Sequence, residues 1–118
     1  MRPNALPKSL ILKKISEFRE VFQQGQILKD EYFSIFFVGR DNLKVGFAAP
    51  KSSGNKPTRN KLKRIGRELW RTNFRKYDLP AHLVIMTQKN ILMAEQHVRE
   101  QSINELLGRI EKRLSKEP

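Results

Sequence analysis

The stretch Tyr32-Phe33-Ser34-Ile35-Phe36-Phe37-Val38 decides how the rest of the chain is read. It is too short, and too rich in aromatic and β-branched residues, for a typical helix, so it predicts a strand. Alternation places Tyr32, Ser34 and Phe36 on one face of that strand and Phe33, Ile35 and Phe37 on the other. Gly39-Arg40-Asp41-Asn42 supplies turn chemistry, and Leu43 to Ala49 is predicted as the return strand of a hairpin. Working toward the N-terminus, Phe18, Val21 and Phe22 share one face of a short helix that opens at Ser16-Glu17, with Ser16 as N-cap, and closes at Gly25. Residues 1 to 10 hold two prolines and read as an extended arm. Working toward the C-terminus, Pro50 to Pro57 is a loop, and a long helix follows from about Thr58 to Tyr77, capped by Asn55 or Thr58. Pro80 stops it, and His82 to Thr87 is a largely buried strand. Ile103, Leu106, Leu107, Ile110 and Leu114 then mark a closing helix. The order helix, strand, strand, helix, strand, helix makes an α+β fold in a single domain spanning residues 1 to 118, with no internal repeat.

The chain has 118 residues, 24 Lys+Arg and 12 Asp+Glu, and a formal net charge of +12. It lacks cysteine, which excludes disulfides, thiolate metal sites and cysteine nucleophiles. Its apolar runs fall far short of the roughly 20 residues of a membrane span. No secretory signal pattern is legible at Met1-Arg2-Pro3-Asn4-Ala5, so a cytoplasmic protein is expected. Charge is distributed unevenly. Residues 51 to 76 carry 10 basic groups and 1 acidic group, which accounts for nine of the twelve net charges. Self-repulsion at that density calls for a polyanionic partner.

On a helical projection starting at Arg59, Lys63, Arg67, Asn60, Arg71, Arg64 and Arg75 fall between about 40° and 160°, while Leu62, Ile65 and Leu69 fall between about 240° and 300°. One half of the helix is therefore a cationic ridge and the other must pack on the sheet. Phe74 falls within the ridge, so either the helix bends near its end or that ring is exposed for a purpose. A solvated helix face interleaves Glu with Lys at i,i+4, whereas Glu68 is the sole acid of the segment. Planar guanidinium groups suit phosphate, so nucleic acid is favoured over a membrane surface. The aromatic residues leave two outcomes open: all of them are core, or one face of the Tyr32 strand, together with Phe18 and Phe22, is an open shelf for single-stranded bases. Neither His82 nor His97 has a carboxylate or second histidine at ligand spacing, and no phosphate-binding loop follows Gly54. The residues predict an RNA-binding domain without an active site of its own.

The run Lys51-Ser52-Ser53-Gly54-Asn55-Lys56-Pro57-Thr58-Arg59-Asn60-Lys61-Leu62-Lys63-Arg64-Ile65-Gly66-Arg67-Glu68 resembles the signature of the protein component of bacterial ribonuclease P. Glu17-Phe18, Phe22, Gly25, Tyr32-Phe33, Leu43-Lys44-Val45-Gly46 and the closing Leu106-Leu107-Gly108-Arg109 follow in family order, so the resemblance covers roughly residues 8 to 114. It implies a two-layer α-β-β-α-β-α sandwich of the ribosomal protein S5 domain 2-like kind, with a left-handed βαβ crossover against the usual right-handed rule. It also implies an endonuclease subunit whose RNA partner is the catalyst, holds most of the Mg2+ with the substrate, and frees the 5′ leader of precursor tRNA. Carried onto this chain, Arg59, Asn60, Lys61, Lys63, Arg64, Arg67 and Arg71, with Lys51 and Lys56 in the loop, are the RNA-binding residues. Phe18, Phe22, Ser34 and Phe36 form the leader cleft, no protein residue is catalytic, and neither a membrane nor a small-molecule substrate is a partner. The chain departs from the family at Pro50-Lys51-Ser52 where Ser-Lys-Lys is usual, at Pro57, at Lys61 in place of arginine, at Phe36 in place of tyrosine, and at the small Ser34. The alternative is a structural RNA-binding protein, ribosomal-protein-like, without a role in cleavage.

Overall fold

A computed structural model describes residues 6 to 115, so half of the expected extended arm, residues 1 to 5, lies outside the described residues. Its remainder is not simply extended: Lys8–Leu10 form a 3-10 turn, and Ile11 bridges in parallel to Val45. The first helix, α1, spans Ile15–Gln24. Ser16 is not its cap. The Glu17 carboxylate instead accepts from the backbone N–H groups of Lys13 and Lys14, each at 3.0 Å, so an acid inside the first turn satisfies the donors. Gly25 ends the helix in an extended conformation, where a β-carbon would lie 2.5 Å from the Val21 carbonyl oxygen.

Four strands follow, β1 (Gln26–Lys29), β2 (Phe33–Gly39), β3 (Lys44–Ala48) and β4 (Ala81–Thr87), in the sheet order β1-β2-β4-β3. The sheet corrects the expected hairpin. β3 does not return beside β2 but lies parallel to β4, with Val45 opposite Leu83, while β4, between β3 and β2, is antiparallel to β2. The hairpin of this fold is β1 with β2, closed by Asp30, whose carboxylate accepts from the N–H groups of Tyr32 and Phe33. β1 is absent from the sequence-based reading. The long helix α2 (Lys56–Asn73) connects β3 to β4, capped by Asn55, whose side-chain oxygen accepts from the Thr58 N–H at 3.0 Å. Pro57 sits in its first turn, where its missing N–H costs nothing. After Asn73 the chain tightens into a 3-10 turn over Phe74–Lys76, earlier than the expected end at Tyr77. That turn buries Phe74 in a stack on Trp70, with centroids 5.1 Å apart. The closing helix α3 spans Gln96–Ser115.

The main core lies between one sheet face and the α2–α3 layer. Phe33, Ile35, Phe37, Leu83 and Ile85 meet Leu62, Leu69, Trp70, Ile103, Leu107 and Ile110 there, all buried. α1 crosses part of the opposite face, where Val21 and Leu12 cover Val84 in a smaller cluster edged by Phe18, Phe36 and Val38.

Candidate RNA interface

Asn60, Lys61, Lys63, Arg64 and Arg67 of α2 are all exposed, as are Lys51 and Lys56 before and at its start. Among the described residues none of these six cations has a carboxylate within salt-bridge distance. Arg71 differs, because its guanidinium is paired with Glu68 one turn back. Arg59 differs too. The buried arc of α2 runs through Leu62, Gly66, Leu69, Trp70 and Asn73, rotated from the arc that the leucines alone suggest, so Arg59 falls at its margin and is half-buried. Its Nε is buried without a hydrogen-bond partner among the described residues. Arg67 reaches over the ring of Phe47 on β3, 5.2 Å from the centroid, which steadies one guanidinium at the sheet edge.

Phe18, Phe22 and Phe36 come together on the α1 side of the sheet, whereas Ser34, on the same face of β2, lines a neighbouring hollow and accepts from Gln88 Nε2 at 3.4 Å. β2 splits as the alternation requires, with Phe33, Ile35 and Phe37 buried and Ser34 and Phe36 only half-buried. Phe22 is 38% exposed and meets Phe36 edge to face, with centroids 4.8 Å apart. Phe18 rests on Gly46 of β3, where a β-carbon would lie 2.4 Å from its ring. Ile27 of β1, 43% exposed and opposite Phe36 in the register, extends the apolar surface. The rings are therefore an open shelf in part, and the all-core outcome holds only for Phe33 and Phe37 among the Phe residues of β2. Sequence reading missed Ile27 because it lies on the unrecognised strand. It also missed the lysines beside the shelf: Lys8, Lys13, Lys14 and Lys44 surround Glu17 in one hollow, and Lys44 Nζ sits 3.4 Å from Glu17 Oε2. These backbone and lysine contacts hold the Glu17 carboxyl down at about 2.

β3 is the border between the two surfaces, with α2 and Arg67 on one side and Phe18 on the other. His82 Nε2 lies 3.1 Å from Asn42 Oδ1, and burial, then Arg40 and Lys44, push its pKa down. Among the described residues, no group of three His, Cys, Asp or Glu side chains is placed to hold a metal ion. No helix among the described residues is long and apolar enough to cross a membrane.

The family model described as Ribonuclease P matches residues 6–111. The "Ribonuclease P protein component" of Finegoldia magna is 31% identical over 86 residues, covering 72% of this chain and 76% of that relative. That of Staphylococcus carnosus is 30% identical over 95 residues, covering 78% and 75%. The solved RNase P protein of Thermotoga maritima superposes with a TM-score of 0.74 at 27% identity, over 85% of this chain and 96% of that one. A four-stranded mixed sheet with three helices, the match along nearly the whole described chain and these relatives agree: the chain belongs to the bacterial ribonuclease P protein family, the protein component of an endoribonuclease that processes tRNA.

Proposed function

We propose that the α2 ridge binds the catalytic RNA of ribonuclease P while the shelf of Phe18, Phe22, Ser34 and Phe36 grips the 5′ leader of precursor tRNA. One observation carries this reading: an uncompensated cationic ridge and an open aromatic shelf lie on opposite faces of one sheet and meet at the single strand β3. Two RNA segments can therefore be held at once, with the protein's charge screening their mutual repulsion. Asn60, Lys61, Lys63, Arg64 and Arg67, with Arg59, Arg71, Lys51 and Lys56, contact phosphates, and leader bases stack on the rings. Magnesium is held by the RNA subunit and the substrate, and cleavage belongs to the RNA. The complex acts in the cytoplasm.

Reconstitution with a bacterial ribonuclease P RNA at low millimolar magnesium tests the proposal. The protein should restore 5′ maturation of precursor tRNA. Phe22→Ala should weaken precursor binding roughly tenfold, within the stacking range of about 1 to 3 kcal/mol per base, and leave binding to the RNA subunit intact. Phe22 serves this purpose better than Phe18, whose ring also packs on Gly46. Tight binding to the RNA without any stimulation of cleavage would leave a structural RNA-binding protein instead.

A further inference from the structure

Between α2 and the first turns of α3 lies a hollow of about 430 Å³, of whose lining only Arg64 belongs to the residues assigned to the ridge or the shelf. Ile65 and Leu69 line it, Thr72 stands on the α2 wall, and Arg99 of α3 stands opposite. Its two carboxylates are already committed. Glu100 accepts from Asn73 Nδ2 and from Gln96 Nε2, both at 2.8 Å, and Glu68 is paired with Arg71. Its two cations, Arg64 and Arg99, have no carboxylate at salt-bridge distance among the described residues. Arg64 is exposed and has no carboxylate partner among the described residues. Arg99 is held by Nε alone, which donates to the carbonyls of Ile91 and Ala94 at 3.1 Å each. That grip fixes the plane of the guanidinium.

We propose that this hollow receives one unpaired nucleotide of the RNA that lies along α2, with its base against Ile65 and Leu69 and its phosphate between Arg64 and Arg99. The inference rests on the proposed binding of ribonuclease P RNA. Three features fit this occupant. The volume lies in the range of sites that enclose small ligands. Apolar side chains beside two guanidinium groups, that of Arg99 held by its backbone contacts, accommodate a flat, anionic unit, which RNA presents where its bases are splayed out of a helix. The hollow also continues the ridge through Arg64, so a chain tracking along α2 passes its mouth. Arg99 lies outside the segment that holds the net charge, and its role follows only from the packing of α3 on α2.

Two variants test it: Thr72→Trp, which fills the hollow from an exposed position, and Arg99→Gln, which removes the fixed cation. Both are compared with wild type for thermal midpoint, affinity for a bacterial ribonuclease P RNA, and base-by-base chemical reactivity of that RNA. Wild type should shield one unpaired base that each variant leaves reactive. Each variant should bind roughly tenfold more weakly, about 1.4 kcal/mol, with the rest of the α2 footprint kept. If Thr72→Trp folds, binds like wild type and leaves every reactivity unchanged, the hollow is not a nucleotide site, although the ridge reading stands. If wild type itself does not bind the RNA, both readings fall. Should Thr72→Trp not fold, the reactivity pattern with Arg99→Gln decides.

Discussion

Gly66 faces β4, and a β-carbon there would lie 2.5 Å from Thr87 Oγ1. Alanine is the better helix former by about 1 kcal/mol, yet Gly66→Ala should lose about 1 to 3 kcal/mol of stability to overpacking. Thr87→Ala should return part of that loss, which a thermal denaturation cycle would measure. Thr87 is itself fully buried, and its hydroxyl has no hydrogen-bond partner among the described residues. Thr87→Val alone should therefore leave the midpoint unchanged or raise it. Acid acts on two further residues. The folded state holds Glu17 at about 2, below the ordinary glutamate value, so its contribution is complete above roughly pH 4.3 and is lost as pH falls toward 2. His82 is also depressed, so the fold resists its protonation and stability declines as pH falls below its ordinary value, roughly 6.5. Denaturant titrations across pH should show both declines. Glu17→Gln should flatten the lower one and His82→Gln the upper.

At the scale of elements, α2 was legible to within a turn because its two halves differ so sharply in charge and hydropathy. The free cations found along it are those that the charge count singles out, except Arg59, displaced toward the core because Gly66 and Asn73 widen the buried arc, and Arg71, which Glu68 engages. The ridge should reveal itself through salt. With about six phosphates neutralised, log affinity should fall against log salt with a slope of about −4 to −5, and Lys63→Ala should reduce that slope by about one. Filter binding between 50 and 200 mM salt, over which affinity should drop roughly several hundredfold, measures it. β1 was not legible, since Gln26-Ile27-Leu28-Lys29 buries only Leu28 and is too short to display alternation. Pairing was not legible either. Turn residues between two adjacent strands suggest a hairpin, but nothing local in Leu43 to Ala49 specifies that its neighbour lies past residue 80. The shelf was half legible: the face split of β2 followed from period two, while its openness depends on how far α1 reaches across the sheet.

The molecule as a whole joins a polycationic helix to an aromatic shelf across one sheet, and the proposed function leaves cleavage to the RNA subunit. Purified protein alone should leave precursor tRNA intact at any magnesium concentration, and adding the RNA subunit should produce cleavage, both read on a gel. The order of the strands has another consequence. β4 is the one strand that pairs with both β2 and β3, so in a nascent chain that has emerged from the ribosome only as far as Pro80, the β1–β2 hairpin and β3 have no strand to join them. The sheet can close only once residues 81 to 87 have left the exit tunnel, by which time the most positively charged part of the chain has already emerged beside the RNA of the machine that makes it.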